Sequence, residues 1–482
     1  MTRLESRLLT SLWHTSFPGA RRCFATARDN SRPVRGMKDR LGAENAVYQH
    51  IYRTGSTVAE LYDFEHISTP ILEHAEVFER TLGDDSDIVG KELYKFVDKN
   101  GSTLTMRPEG TAGIARALIS NKLVNTLPQK YYYYGPMFRH ERPQKGRLRQ
   151  FEQFGVELFG VSHPSSDLEV IEFAWEFLKR LDLGNMVELE INTLGDIESR
   201  KRYRAALTEY FSSHSTQLSE DSARRLTTNP LRILDSKHPS DAPLIAQCPL
   251  LTDYLTEASR DRLAFLTEAL PATGMRVKAN PRLVRGIDYY EETVFEFVYS
   301  ANEESQSSEE ARLGKAQGTV LAGGRYDGLV GMMGGPQHVP GIGWAAGVDR
   351  LVALTTYTPP KREKIAVIPV VETRLHPDIC ARIYTKSVEV ASALRSRGKR
   401  VMLYHPTTAN VEKRTSERRV LSGWKTNLRT LLPKLGKDAS HAILVGEEEI
   451  EKELVTVRDL ERMEQFRVNP EDVLSVLRKN EE

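Results

Sequence analysis

The sequence predicts an α+β body followed by a smaller α/β domain. Three observations carry this. Strand-like segments with alternating side chains cluster between residues 93 and 160 and return at 281–297, with helical stretches around the cluster rather than between each pair. Residues 195–280 are charged and mostly helical, and interrupt that body as an insertion. Beyond a linker, TTYTPPKRE (355–363), the segments IAVIPVV, a helix over about 377–397, RVMLYH and HAILVG alternate as βαβ units.

Taken in order, the first 30 residues differ from the rest. Over residues 1–28, Arg3, Arg7, Arg21, Arg22 and Arg28 face a single acid, Glu5, and Leu4, Leu8 and Leu12 recur every four residues as one helical face. Serines and threonines fill much of the remainder. That is the composition of an organelle transit peptide, most like a mitochondrial one, with Arg22-Cys23-Phe24-Ala25 resembling a processing site. The expected address is the mitochondrial matrix, with dual targeting left open. From Ala43 to about Leu61 the pattern suits a helix, and Pro70 marks a turn. LYKFVD (93–98), the turn Lys99-Asn100-Gly101 and TLTM read as a hairpin. A helix follows over Thr111–Ser120. YYYYGPMF and RQFEQFGVELFG read as two long strands around a polar loop. Leu168, Ile171, Trp175, Leu178 and Leu181 then recur at helical spacing. The expected divisions are 1–30, 31–194, 195–280, 281–354, 355–363 and 364–482.

Composition narrows the function. The chain has 482 residues, a formal net charge of +1, and no apolar run near membrane-spanning length, so no membrane partner is expected. A nucleic-acid partner must be met by a local basic patch. Between Lys361 and Val445 there are 18 Lys and Arg against 7 Asp and Glu, which suits contacts with an RNA backbone. Cys23, Cys248 and Cys380 are far apart and show no zinc spacing, and no metal ligand is assigned.

The chemistry concentrates in GPMFRHERPQKGRLRQFEQFGVELFG (135–160). On a strand, Phe151, Gln153, Gly155, Glu157 and Phe159 share one face, and Glu152, Phe154, Val156 and Leu158 the other. A carboxylate among apolar groups needs a partner, either a bound polar ligand or a salt bridge to a neighbouring strand. Arg139 and Glu141 are expected on one face of the first strand, with Arg142, Lys145, Arg147 and Arg149 crowding the connection. Five cations around one hairpin suit phosphate. No GxxxxGK[ST] occurs, and GIGWAA (341–346) follows a proline and a glycine-rich loop rather than a clear strand, so it is discounted as a dinucleotide fingerprint.

These residues resemble motif 2 of class II aminoacyl-tRNA synthetases, and specifically the histidyl-tRNA synthetase family. RGMKDRLG (35–42) resembles its opening segment, and ISTPILEHAEVFERTLGDDSDIVGKELYKFVDKNG its motif 1 region and following hairpin. LTMRPEGTAGIAR, LVRGIDYYEETVFEF, AGGRYDGLVGMMGG and VPGIGWAAGVDRL look like its amino-acid loop, its histidine signature and its motif 3. The resemblance runs from about residue 33 to the C-terminus and is weakest after 405.

The resemblance implies a six- or seven-stranded antiparallel sheet flanked by helices, a helical insertion, a C-terminal α/β anticodon-binding domain, and a homodimer built largely on motif 1. It implies ATP with Mg2+, L-histidine and tRNA(His) as ligands. Arg139 would hold the α-phosphate, with Arg285 facing it from the other side; these two are the expected catalytic residues. Arg350 would take the γ-phosphate, Glu141 and Phe151 would hold and stack the adenine, and Arg147 would join the ATP site. Glu109, Gly110, Thr111 and Gln153, the last as an amide acceptor, match the grip on the α-ammonium. Glu157 with Tyr289 or Tyr290 would meet the imidazole. EKRTSERRVLSGWKT (412–426) departs from the family, and the acidic loop around 302–311 is longer than its norm. Three other readings stay open: an inactive paralogue acting as a regulatory subunit in histidine biosynthesis, a tRNA-binding module, and a synthetase for a neighbouring amino acid. Arg139, Arg285, Glu109, Glu157 and a C-terminal domain weigh against the first, and LVRGIDYY against the last.

Overall fold

The computed structural model describes residues 31–83, 88–142, 147–284, 289–300, 318–360, 364–372, 374–405, 425–436 and 439–478. The basic N-terminal stretch, Lys145, Arg285, the 302–311 loop and nearly all of the 412–426 insertion lie outside them. The chain divides into two compact units, one ending at Thr358 and one beginning at Pro359.

The first unit opens with helix α1 (Gly42–Leu61), β1 (Glu65–His66), β2 (Leu72–His74), α2 (Ala75–Leu82), β3 (Lys95–Val97) and β4 (Thr103–Met106). Next come α3 (Thr111–Ser120), β5 (Gln129–Phe138), β6 (Gln150–Phe159), α4 (Ser165–Arg180) and β7 (Val187–Thr193). A helical segment follows, containing α5 (Ile197–Ser213), α6 (Glu220–Thr228), α7 (Ala242–Gln247) and α8 (Glu257–Ala269). The unit closes with β8 (Val277–Ala279), β9 (Glu291–Tyr299), β10 (Thr319–Arg325), α9 (Leu329–Met332), β11 (Gly341–Gly347) and α10 (Val348–Leu354).

Eight strands form the main sheet in the order β1-β5-β6-β11-β10-β9-β7-β8. The six inner strands pair antiparallel throughout. The two short edge strands, β1 and β8, pair parallel with their neighbours. The expected antiparallel sheet is therefore present, but it is longer by these edges, which two or three residues of sequence could not announce. The Lys99-Asn100-Gly101 turn joins β3 to β4, and the Asp98 carboxylate accepts from the Asn100 and Ser102 amides at 2.8 and 2.9 Å. GIGWAA is strand β11 itself, a central strand and not a phosphate loop.

The two faces of β6 separate as alternation dictates. Phe154, Val156 and Leu158 enter one core with α1 and α4, where the Trp344 ring meets Phe154, Phe173 and Phe177. Phe151 and Phe159 face the other way, toward α2 and α3. One reading of the sequence needs correction: β5 stops at Phe138, so Arg139 and Glu141 stand in the loop beyond it and not on a strand face. The Arg139 amide still bonds the Arg149 carbonyl at 2.9 Å, after which the chain turns away.

Buried polar pairs lock distant segments. Arg325 and Asp167, both fully buried, form an ion pair that also draws in Ser166 and Asp327. Breaking such a pair from one side costs about 3–5 kcal/mol, because the other charge is left without water. Arg40 reaches Glu152 at 2.8 Å and lies 4.4 Å from the Tyr48 ring centroid, while the Tyr48 hydroxyl donates to Asp349 at 2.6 Å. These contacts fasten the opening segment and α1 to β6 and α10.

The second unit holds β12 (Ile365–Pro369), α11 (Pro377–Ser396), β13 (Val401–Leu403), α12 (Leu428–Leu435), β14 (His441–Val445), α13 (Glu447–Glu451), β15 (Val455–Asp459), β16 (Gln465–Val468) and α14 (Val473–Arg478). Its sheet runs β13-β12-β14-β15-β16, parallel across the first three strands and antiparallel across the last three.

Candidate active site

A cavity of about 310 Å³ opens on the face of the sheet opposite α1 and α4. Its wall gathers Glu109, Thr111, Arg139, Glu141, Arg147, Phe151, Gln153, Tyr289, Tyr290 and Arg350, ten of the residues singled out from sequence. Gly110 and Glu157 stand directly behind that wall, and Arg285 lies outside the described residues.

One end is cationic. Arg139 bonds the Pro108 carbonyl through Nε at 3.0 Å and stands 5.4 Å from the Phe151 ring centroid. Arg147 approaches Glu141 at 3.5 Å. Arg350 is largely buried and donates to the Thr319 carbonyl. Its pKa is pulled below the usual arginine value, first by burial and then by the Arg147 and Arg139 charges, with Glu141 and Glu296 opposing. Three guanidinium groups thus converge where only part of their charge is balanced. A polyanion whose oxygens match the planar guanidinium fork, such as a chain of phosphates, is the ligand such an end favours.

The other end is acidic and aromatic. Glu109 is buried at the start of α3, and its carboxylate accepts from the Thr111 and Ala112 amides at 2.6 and 2.9 Å. Burial raises its pKa, while those amides and Arg139 pull it back. Glu157 is 1% exposed. It accepts from the Thr111 hydroxyl at 2.6 Å and from the Tyr326 hydroxyl. These partners are hydroxyls, not the cation of a structural salt bridge. Burial pushes the Glu157 carboxyl up to about 8; the two hydroxyl bonds lower it and Glu109 raises it. A carboxyl this deep, facing hydroxyls that leave a lone pair free, is set to recognise a ligand N–H.

The structure alters the expectation for Gln153. Its amide oxygen already accepts from the Gly110 amide and from the Tyr133 hydroxyl, each at 3.2 Å. Both lone pairs of that oxygen are engaged, so what Gln153 has left to offer a ligand is its NH2 group, a donor.

Three groups at this end escaped the sequence reading. Tyr133 and Tyr326 are fully buried hydroxyls whose pKa values are raised well above the usual phenol by burial and by Glu157. In sequence they read as core aromatics, and nothing short of the pairing register puts them beside a carboxylate. Gly343 lies opposite Glu157 across the β6–β11 pair, and a Cβ there would stand 2.0 Å from the Glu157 carboxylate oxygen. Gly155 leaves similar room for Tyr133. Glycine on a central strand otherwise weakens it, and that was the readable signal of a close approach.

Among the described residues no group of three or more His, Cys, Asp or Glu could hold a metal ion, and no helix is long and apolar enough to cross a membrane.

Comparison with known proteins adds family context. A family model described as histidyl-tRNA synthetase matches residues 36–351, and one described as an anticodon binding domain matches 437–480. The chain is 46% identical over 446 residues to a histidine–tRNA ligase of Gluconobacter oxydans, covering 92% of this chain and 98% of that one. It is 45% identical over 436 residues to the enzyme of the same name from Rhodospirillum rubrum, covering 90% and 95%. Among solved structures, apo histidyl-tRNA synthetase of S. aureus superposes with a TM-score of 0.70 at 26% identity, covering 92% of this chain and 99% of that one. A Bacillus halodurans structure titled as an ATP phosphoribosyltransferase regulatory subunit/histidyl-tRNA synthetase gives 0.53 at 25% identity, covering 77% and 92%.

Proposed function

The chain belongs to the histidyl-tRNA synthetase family, and from that premise we propose how its residues divide the family's reaction, the ATP-dependent attachment of L-histidine to tRNA(His). The observation that carries the proposal is the cavity's polarity: converging arginines at one end, and at the other Glu109 and Thr111, with the buried Glu157 carboxylate bonded behind Thr111.

ATP occupies the cationic end and histidine the acidic end. Histidine's carboxylate attacks the α-phosphate, giving histidyl-adenylate and pyrophosphate. That carboxylate is already ionised near neutral pH, so the step needs no general base. It needs alignment of the reactants and neutralisation of the charge that builds on phosphoryl oxygens. Arg139, held by the Pro108 carbonyl, takes the α-phosphate, and Arg285 is assigned the same phosphate from the resemblance of LVRGIDYY. Arg350 takes the γ-phosphate, Arg147 neutralises beside it, and Glu141 with the Phe151 ring receives the adenine. Glu109 holds the α-ammonium beside Thr111 and Gly110, and the Gln153 NH2 faces the substrate's carboxylate. Glu157 accepts an imidazole N–H, flanked by Tyr289 and Tyr290. A site committed to such bonds rejects analogues that lack them by large factors, so discrimination needs no editing step. A hydroxyl of the terminal ribose of tRNA(His) then attacks the adenylate's carbonyl carbon, forming the ester as the mixed-anhydride bond breaks and AMP leaves.

Mg2+ enters as MgATP. The ion prefers hard oxygens and keeps several waters when phosphates supply the rest of its shell. Glu296, a carboxylate beside Arg350, is of the type it takes. Histidine-dependent ATP–pyrophosphate exchange, run with all twenty amino acids, tests the reading. Exchange with histidine alone, abolished by EDTA, is expected; exchange with another amino acid, or none, would sink it.

Residues 195–280 are assigned as an insertion and 364–482 as the anticodon-binding domain, whose basic excess suits an RNA backbone. A homodimer on the motif 1 region is supported by Ile71, Leu72, Phe96 and Val97, 42–66% exposed on and beside the β2-β4-β3 sheet. Sedimentation should give twice the 54.6 kDa chain mass, and a monomer at micromolar concentration would rule the dimer out. The basic, acid-poor first 30 residues support a mitochondrial address. Removing them should leave exchange activity intact and abolish import into the organelle; persistent import would end the transit reading.

A further inference from the structure

Two helices of the 195–280 segment converge on the chain immediately behind Tyr289 and Tyr290. From α5, Arg200 donates to the Tyr290 carbonyl and to the Glu291 carboxylate, each at 3.2 Å. The other Glu291 oxygen accepts the Gly328 amide at 2.9 Å, two residues beyond Tyr326. From α8, Ser259 donates to the Glu292 carboxylate at 2.8 Å. Glu292 has φ +51°, a left-handed conformation uncommon outside glycine, and the β9–β10 register shifts beside it. Backbone of this kind persists only where its surroundings hold it. Arg200 also lines a second cavity of about 360 Å³, with Lys201 and Arg204, whose wall includes Tyr290. Tyr290 therefore belongs to both cavities.

We propose that the Arg200–Glu291 pair is a positioning device through which the helical segment sets the histidine end of the active site. Arg200 touches no substrate; it fixes the Tyr290 carbonyl and the Glu291 carboxylate, and through them the two tyrosine rings and the turn after Tyr326. The inference rests on the assignment of Tyr289 and Tyr290 to the histidine end. Its signature is a loss in histidine affinity seen without tRNA, because the linkage lies within the protein.

The experiment is histidine-dependent ATP–pyrophosphate exchange by the full chain carrying Arg200→Ala, Arg200→Lys, Glu291→Gln, Arg200→Ala with Glu291→Gln, Arg204→Ala or Tyr290→Ala. Arg204 sits on the same helix but bonds the Thr228 carbonyl within the segment, and serves as the control. Arg200→Ala should raise the histidine KM about tenfold with the ATP KM within about twofold, the scale of one lost charge-assisted bond. Arg200→Lys should fall between, since an ammonium cannot span both acceptors as a guanidinium does. The double variant should be no worse than the poorer single one, the mark of residues acting as a unit. Arg204→Ala should match the parent. A histidine KM unchanged in Arg200→Ala but raised in Tyr290→Ala overturns the positioning role alone. An unchanged KM in Tyr290→Ala overturns the histidine-end assignment and the inference with it. Additive effects of Arg200→Ala and Glu291→Gln, with equal rises in both KM values, would mark a merely structural pair.

Discussion

Arg139→Ala should lower the rate of histidine-dependent ATP–pyrophosphate exchange by roughly 10²–10³-fold, the effect of removing one preorganised donor from a developing phosphoryl charge. The histidine KM should stay within about threefold, because Arg139 lines the cationic end of the cavity, whereas Glu157 stands behind the wall at Thr111, to which it is bonded. The folded state loses only one bond to the Pro108 carbonyl and the contact with the Phe151 ring. Net hydrogen bonds are worth about 1 kcal/mol, so thermal unfolding should move little. Arg139→Lys should restore part of the rate, since a point charge replaces a fork fixed at one nitrogen by Pro108. Near-parental exchange in Arg139→Ala would remove the residue from the chemistry.

Glu157→Gln should act on the opposite variable. Its expected effect is a histidine KM raised on the order of a hundredfold, the scale of a lost bond to a charged group, with the ATP KM nearly unchanged. Equal effects on both substrates would refute the assignment. The pH dependence adds a second readout. The folded-state pKa of Glu157 is raised from 4.5 to about 8 by burial, so the folded protein favours the protonated form. The stability contribution of that form is fully present below 4.5 and is lost as pH rises toward about 8. Glu157→Gln should remove this loss and flatten the stability profile over that window. An imidazole N–H favours the carboxylate, so histidine binding should release a proton from Glu157 below its pKa. Affinity should therefore tighten as pH approaches about 8, above the imidazole's own titration near about 6.5, and the Gln variant should lack this dependence.

Residue pattern alone goes far where physics is local. The alternation of RQFEQFGVELFG separates Phe154, Val156 and Leu158 from Gln153 and Glu157, and β6 keeps that separation because one face meets α1 and α4. The Lys99-Asn100-Gly101 turn closes through Asp98, a bond internal to five residues. What the pattern misses is set by partners far away in sequence. Arg325 and Asp167 are 158 positions apart, and nothing local marks either as buried. Tyr326 joins Glu157 across 169 positions, and Gly343 is required small only because β11 lies against that carboxylate. Extending the first strand through Arg139 and Glu141 failed for a related reason. The ladder ends at Phe138, and the two side chains reach the cavity from a loop held by Arg149 and Pro108. Gln153 lines the cavity, but its oxygen is taken by Tyr133 and Gly110, which sequence does not bring together.

The most direct measurement is a crystal structure of the protein with a non-hydrolysable histidyl-adenylate analogue. The expected result places an imidazole nitrogen within hydrogen-bond distance of the Glu157 carboxylate, the phosphate group against the Arg139 guanidinium, and the adenine on the Phe151 ring. An analogue bound in the reverse sense, with its imidazole among Arg139, Arg147 and Arg350, or bound away from Glu157, would contradict the division of the cavity into a histidine end and an ATP end.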